Sequence, residues 1–139
     1  MIRVVADTNV LVSAIRRGTT TRKVSELWVE GRIRLVVSRE IIQEYLRVLS
    51  YPKLELSSQE VRQVMEEMVL PYADLVERVP PLSHSTAGVE KDDMKFLACA
   101  AAGGARYLIT GDKGFLRTGE YRSVELIAPA SFLEKVFSR

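Results

Sequence analysis

Apolar residues occupy Ile2, Val4, Val5 and Ala6, interrupted only by Arg3, and the run stops at Asp7. Val10, Leu11 and Ile15 then recur at helical spacing, which predicts a buried parallel strand feeding a helix. Asp7 is thereby expected at the strand's carboxyl end. In open α/β sheets ligands bind at that edge, so a carboxylate there is a natural nucleus for a site.

Arg16-Arg17-Gly18 breaks the helix, and the threonines at 19–21 can cap a second one carrying Val24, Leu27 and Trp28 and ending near Gly31. Trp28 falls on the apolar stripe and is expected in the core rather than as a base-stacking platform. Residues 33–37 are β-branched enough to form a second strand. Ser38 can cap a third helix with Ile41, Ile42, Tyr45, Leu46 and Leu49 as its buried face, while Glu40, Gln43 and Arg47 point away. Glu44 lies at the margin of that face. Taken alone, it reads as an ordinary flanking glutamate.

Pro52 closes this segment. Ser57-Ser58-Gln59-Glu60 is a capping-box pattern for a fourth helix carrying Val61, Val64, Met65, Met68 and Val69, which Pro71 ends. A short strand is expected within residues 73–79, followed by a connecting loop over 80–88. That loop holds His84, the sole histidine, read as a surface residue because no Asp, Cys or Ser constellation accompanies it. Asp92 and Asp93 open an Ala-rich helix that Gly103 and Gly104 close, apolar nearly all round and so deeply packed. One of the two acids can cap it. Asp93 shares its face with Phe96, Leu97 and Ala100, where an unpaired carboxylate is costly. Residues 106–110 form a further strand with Asp112 just past its end. A last short strand is expected around 124–127, then a final helix after Pro129 with Phe132, Leu133 and Val136 inward.

With 139 residues, 47% of them hydrophobic, the chain suits one domain over residues 1–139 with a substantial core. No stretch approaches the roughly 18 apolar residues of a membrane span, and the start lacks a signal-peptide pattern, so a cytoplasmic location is expected. Cys99 is the only cysteine. It sits in an apolar helical run and reads as a packed, reduced thiol, with no disulfide or thiolate metal site available. The net charge of +2 hides an asymmetry: residues 1–50 hold nine Lys/Arg against five Asp/Glu, and residues 51–100 five against nine. A basic first third suits a polyanion-facing side, and it equally suits solvated helix faces that differ in sign.

Four acids recur at comparable places: Asp7 and Asp112 at strand ends, Glu44 on a helix edge, Asp93 at a helix start. Right-handed crossovers put strand ends and the helix N-termini they feed on one rim, so the four can converge. Gathered carboxylates repel and need protons or a cation. With no His or Cys to hand, the suitable cation is oxygen-seeking Mg²⁺ or Mn²⁺, which serves phosphoryl chemistry.

This arrangement resembles the PIN-domain ribonuclease family, most of all its bacterial and archaeal VapC-like branch, described as toxin components of toxin–antitoxin pairs. The motifs are Asp7-Thr8-Asn9, Ser38-Arg39-Glu40-Ile41-Ile42-Gln43-Glu44-Tyr45, Asp92-Asp93-Met94-Lys95-Phe96-Leu97-Ala98 and Ile109-Thr110-Gly111-Asp112. The likeness covers essentially the whole chain. It implies a three-layer α/β/α sandwich with a mostly parallel sheet, and Mg²⁺- or Mn²⁺-dependent hydrolysis of RNA phosphodiesters by water. Asp7, Glu44, Asp93 and Asp112 would be the catalytic, metal-binding acids. Thr8, Asn9, Asp92 and Thr110 would support them, with Thr8 and Asn9 orienting the first acid or a metal-bound water and Asp92 capping its helix. The implied partners are single-stranded or structured RNA, a small antitoxin protein and a second copy in a homodimer, with no membrane. Arg16, Arg17, Arg22 and Lys23 are the RNA-binding candidates. Lys113-Gly114-Phe115 departs from the pattern, because many relatives carry a further acid near Gly114. One tight ion, with a second arriving with substrate, is therefore expected.

Two other classes compete. One is a nucleic-acid- or protein-binding module that keeps the fold without turnover. The other is a phosphoacceptor or phosphatase with Asp7 as nucleophile, which would want a second acid where Asn9 stands.

Overall fold

Six strands, β1 (Arg3–Ala6), β2 (Arg34–Ser38), β3 (Ala73–Val76), β4 (Tyr107–Ile109), β5 (Glu120–Tyr121) and β6 (Val124–Ile127), form one sheet in the order β3-β2-β1-β4-β6-β5. The computed structural model of the protein describes residues 1–82 and 89–137, so His84 and most of the 80–88 loop lie outside the described residues. All pairings are parallel except the terminal β5–β6 hairpin. Val4, Val5 and Ala6 of β1 are wholly buried, as the unbroken apolar run requires for a strand covered on both faces.

The helices are α1 (Thr8–Ala14), α2 (Thr20–Val29), α3 (Arg39–Leu49), α4 (Ser58–Val64), α5 (Met94–Ala102), α6 (Lys113–Leu116) and α7 (Pro129–Phe137). From β1 the chain steps to β2 and β3 on one side, then returns to β4 and β6 on the other. Right-handed crossovers therefore put α1 to α4 on one face and α5 on the opposite face. Helix α5 packs against β1, β2, β4 and β6, while α7 comes back onto α2. The result is the three-layer α/β/α sandwich.

Three expected caps form. Thr19 accepts from the Arg22 N–H, Ser38 from the Ile41 N–H, and Ser57 with Glu60 closes a reciprocal capping box. Trp28 is buried, and its indole N–H donates to the Met68 carbonyl at 2.8 Å. Val61, Met65 and Val69 are buried at a spacing of four, which drifts off one face of an ordinary α-helix. The segment Met65–Val69 widens into π-helical turns, which bring that stripe back into line. Cys99 is buried, and that burial pushes its thiol up to about 11, in keeping with an inert packed group.

Several expectations need correction. Leu46 is 42% exposed rather than part of the buried face of α3. Glu44 and Leu46 stand about 100° to either side of Tyr45, and neighbouring elements cover only the Glu44 margin. The Ala-rich helix is preceded by a 3₁₀ turn at Lys91–Asp93, and neither Asp92 nor Asp93 caps it with a side-chain hydrogen bond. The short elements α6 and β5 had no periodicity long enough to announce them.

Two of the basic residues in the first third are tied into the sheet. Arg3 and Arg34 grip the two oxygens of Asp74, at 2.7 Å and 2.7 Å, tying β1, β2 and β3 together and holding that carboxyl below its usual range. Arg3 also donates to the Gly103 carbonyl at 2.9 Å. Gly103 is obligatory in another way: a Cβ there would come within 2.7 Å of methyl groups of Val36 and Val76.

Candidate metal centre

The sheet reverses direction of growth at β1, so the crevice between the carboxyl ends of β1 and β4 is its topological switch point. The Asp7 N–H closes this seam by donating to the Ile109 carbonyl at 3.0 Å. Each strand then delivers its polar residue to the same place. Thr110, fully buried, donates its hydroxyl to Asp7 Oδ2 at 2.7 Å and accepts from the Asp112 N–H at 3.1 Å. Asp7 is buried too. Loss of solvent raises its pKa, the Thr110 and Thr8 hydrogen bonds pull it back, and the charges on Glu44 and Asp112 push it further up.

Asp93 reaches the rim from the 3₁₀ turn before α5. Its carboxyl is pushed up to about 6, first by burial and then by repulsion from Asp7, Asp112, Glu90 and Glu44. Asp7 is thus acted on by Glu44 and Asp112, and Asp93 by Asp7, Asp112 and Glu44. Glu90 joins them at the edge, an acid that sequence reasoning passed over because it lies in an aperiodic stretch. Asp112 is exposed and also caps α6, its Oδ1 accepting from the N–H groups of Gly114, at 2.8 Å, and Phe115, at 3.4 Å.

Glu44 is the acid most fully engaged. One oxygen accepts the Thr8 hydroxyl, and the other lies 2.5 Å from Lys95 Nζ and 3.4 Å from an Arg47 guanidinium nitrogen. The Thr8 hydroxyl thus orients Glu44, and only its backbone serves Asp7. Beneath them the buried Tyr45 hydroxyl donates to the Ala6 carbonyl at 2.5 Å, fixing the residue that precedes Asp7. Lys95 and Tyr45 lay within the quoted motifs, but their roles depend on contacts 51 and 39 residues away in sequence.

Other expected site residues stand apart. Asn9 is exposed and makes no side-chain hydrogen bond among the described residues. Asp92 is exposed and lines a neighbouring groove with Lys91, Lys95, Glu40 and Val76. Arg22 is half-buried and donates to the carbonyls of Ala14 and Ile15, closing the end of α1, so its guanidinium is engaged in holding the fold. Arg16, Arg17 and Lys23 are exposed and form no ion pair among the described residues.

The donor set is carboxylate oxygen throughout, which suits a hard ion such as Mg²⁺ or Mn²⁺ and not a soft one. Among the described residues, no three His, Cys, Asp or Glu side chains are already arranged to close around an ion. The carboxylates would have to draw inward, at a cost that neutralising their mutual repulsion would offset.

The family model described as PIN domain matches residues 3–114 of the chain. Comparison with curated proteins finds no match. Among solved structures, the chain is similar to PAE2754 from Pyrobaculum aerophilum, with a TM-score of 0.61 and 16% identity over 99% of this chain and 97% of that one. It is likewise similar to VapBC2 from Rickettsia felis bound to a DNA fragment from their promoter, with a TM-score of 0.59 and 16% identity over 91% of this chain and 98% of that one.

Proposed function

Because the chain belongs to the PIN domain family, we propose that it is a metal-dependent endoribonuclease and the toxin of a toxin–antitoxin pair. The observation that carries this reading is the seam between β1 and β4, where the buried Thr110 hydroxyl ties Asp7 to the Asp112 backbone and where the charges of Glu44 and Asp112 bear on Asp7 and those of Asp7, Asp112 and Glu44 on Asp93. Asp7, Asp93, Asp112 and Glu44 would hold Mg²⁺ or Mn²⁺. When bound, such an ion holds a phosphate oxygen, lowers the pKa of an attacking water and stabilises the leaving oxygen. Water would form the new bond to phosphorus, the bridging P–O bond would break, and the leaving oxygen would end protonated.

The chain's own part is to hold these groups still. Thr110 keeps Asp7 oriented and favours its ionised form. Tyr45 anchors the backbone beneath it. Unpaired RNA presents a phosphate to a recessed rim more readily than a stiff duplex, so single-stranded or loop RNA is the proposed substrate. Arg16, Arg17 and Lys23 would attract its backbone without reading bases. The similarity in fold to VapBC2 of Rickettsia felis supports a small antitoxin protein as partner, one that presents Arg or Lys to the acidic rim. Exposed Leu46 and Tyr51 offer apolar surface for a second copy in a homodimer.

A second reading, a PIN-fold binding module without turnover, draws on the Glu44–Lys95 pair, which leaves one acid already neutralised. Purified protein with single-stranded RNA decides between them. Cleavage should require Mg²⁺ or Mn²⁺, stop in EDTA and vanish in Asp7→Asn. Cleavage that persists in EDTA or survives Asp7→Asn overturns the metal mechanism, and no cleavage under any condition favours the binding module. Co-expression with the product of the neighbouring reading frame tests the antitoxin, and light scattering tests the dimer.

A further inference from the structure

Both carboxylate oxygens of Glu44 are occupied from within the chain. Thr8 donates to one, and Lys95 Nζ stands 2.5 Å from the other. The Glu44 and Lys95 side chains are only 11% and 17% exposed, whereas Arg47, which reaches the same oxygen at 3.4 Å, is 61% exposed. A secluded ion pair is hard to break one partner at a time, and a solvated one is not. Lys95 lies two residues after Asp93, in the first turn of α5, so the segment that delivers an acid to the rim delivers an ammonium with it.

Resting on the assignment of Glu44 to the metal centre, we propose that Lys95 is an internal counter-ion that guards Glu44. Its ammonium must leave the Glu44 oxygen before that oxygen can enter an ion's coordination shell. In the meantime it offsets part of the repulsion among the four acids. A lysine suits this role, being a compact charge on a flexible four-carbon stem that can swing away, where a guanidinium would hold by its planar fork. Once released, the ammonium stands beside the site without Glu44 as its partner, and a phosphate would take that place. Divalent-ion binding and RNA binding are then coupled, because each favours the state in which Lys95 has left Glu44.

Calorimetric titration with Mn²⁺ of the wild type, Lys95→Met and Arg47→Met tests the proposal, alongside side-chain ammonium NMR of the wild type during a Mg²⁺ titration. Lys95→Met should bind Mn²⁺ about tenfold more tightly, a fraction of the direct attraction between charges at this separation. Arg47→Met removes the same formal charge from a solvated position and should stay within about twofold of wild type. The Lys95 ammonium signal should move as Mg²⁺ saturates. Equal or weaker Mn²⁺ binding in Lys95→Met, or an equal gain in Arg47→Met, overturns the guarding role. Should Lys95→Met fail to fold, an ammonium signal that Mg²⁺ leaves unmoved overturns it. A wild type that binds neither ion removes the metal centre and this inference together. The expected Mn²⁺ responses without any RNA cleavage would sink the ribonuclease reading and leave Lys95 as the guard.

Discussion

Thr110 Oγ1 donates to Asp7 Oδ2 at 2.7 Å, joining residues 103 apart in sequence across the seam between β1 and β4. The bond is buried, and the same hydroxyl oxygen accepts from the Asp112 N–H, so one side chain ties two of the four acids into a single unit. Replacing Thr110 by the isosteric Val leaves Asp7 short of a donor and frees the Asp112 amide.

Thr110→Val should therefore cost about 1–3 kcal/mol of stability and lower RNA cleavage by roughly 10- to 100-fold. The hydrogen bond lowers the Asp7 pKa, so its loss should move the acid limb of the pH–rate profile to higher pH. Thr110→Ser, which keeps the hydroxyl, should restore most of the activity. An unshifted profile in Thr110→Val would show that this bond does not control Asp7.

Asp93 predicts a pH dependence of opposite sense to that of a salt-bridged acid. Its carboxyl titrates at about 6 in the fold against an ordinary value of 3.8, so between these the native state holds more protons than the unfolded chain. Stability should then fall as pH rises through that window, and the penalty should persist at neutral pH. Asp93→Asn removes it. In EDTA at neutral pH this variant should be more stable by roughly 1 kcal/mol once solvent screening is allowed for, with a higher melting temperature, a smaller gain on adding Mn²⁺ and little RNA cleavage. An unaltered Mn²⁺ shift would remove Asp93 from the ligand set and turn attention to Asp92.

Tyr45→Phe keeps the buried ring and deletes only the hydroxyl that meets the Ala6 carbonyl. Losing that buried hydrogen bond should cost about 1–2 kcal/mol. Urea unfolding should show a lower midpoint with an unchanged slope. A midpoint equal to wild type would mean that the strand end is held without Tyr45.

The basic candidates should separate by experiment. Arg22→Met loses the bonds to Ala14 and Ile15 and should cost about 1 kcal/mol of stability. Arg16→Met and Arg17→Met should leave stability unchanged and weaken RNA binding, each reducing the slope of log affinity against log salt by about 1. Fluorescence anisotropy at several salt concentrations checks this, and salt-independent affinity would discount the basic surface.

The architecture was legible in the chain because burial imposes a period that short-range chemistry then punctuates. The apolar runs of β1, β2 and β4, the caps at Thr19, Ser38 and Ser57, and the closing glycines of α5 each need only a few neighbouring residues to be read. The candidate acids were legible for the same reason: Asp7 and Asp112 follow strands, and Asp93 opens a helix. What only the tertiary structure decided is which polar groups face one another. Glu44 and Leu46 occupy mirror-image margins of α3, and nothing local distinguishes them; the presence of Thr8 and Lys95 on one side covers the glutamate and leaves the leucine in solvent. Arg22 looks like Arg16 and Arg17 in sequence, yet the end of α1 claims it. Pairings of this kind depend on contacts between residues far apart along the chain or on opposite sides of a turn, and hydrophobic periodicity carries no record of them.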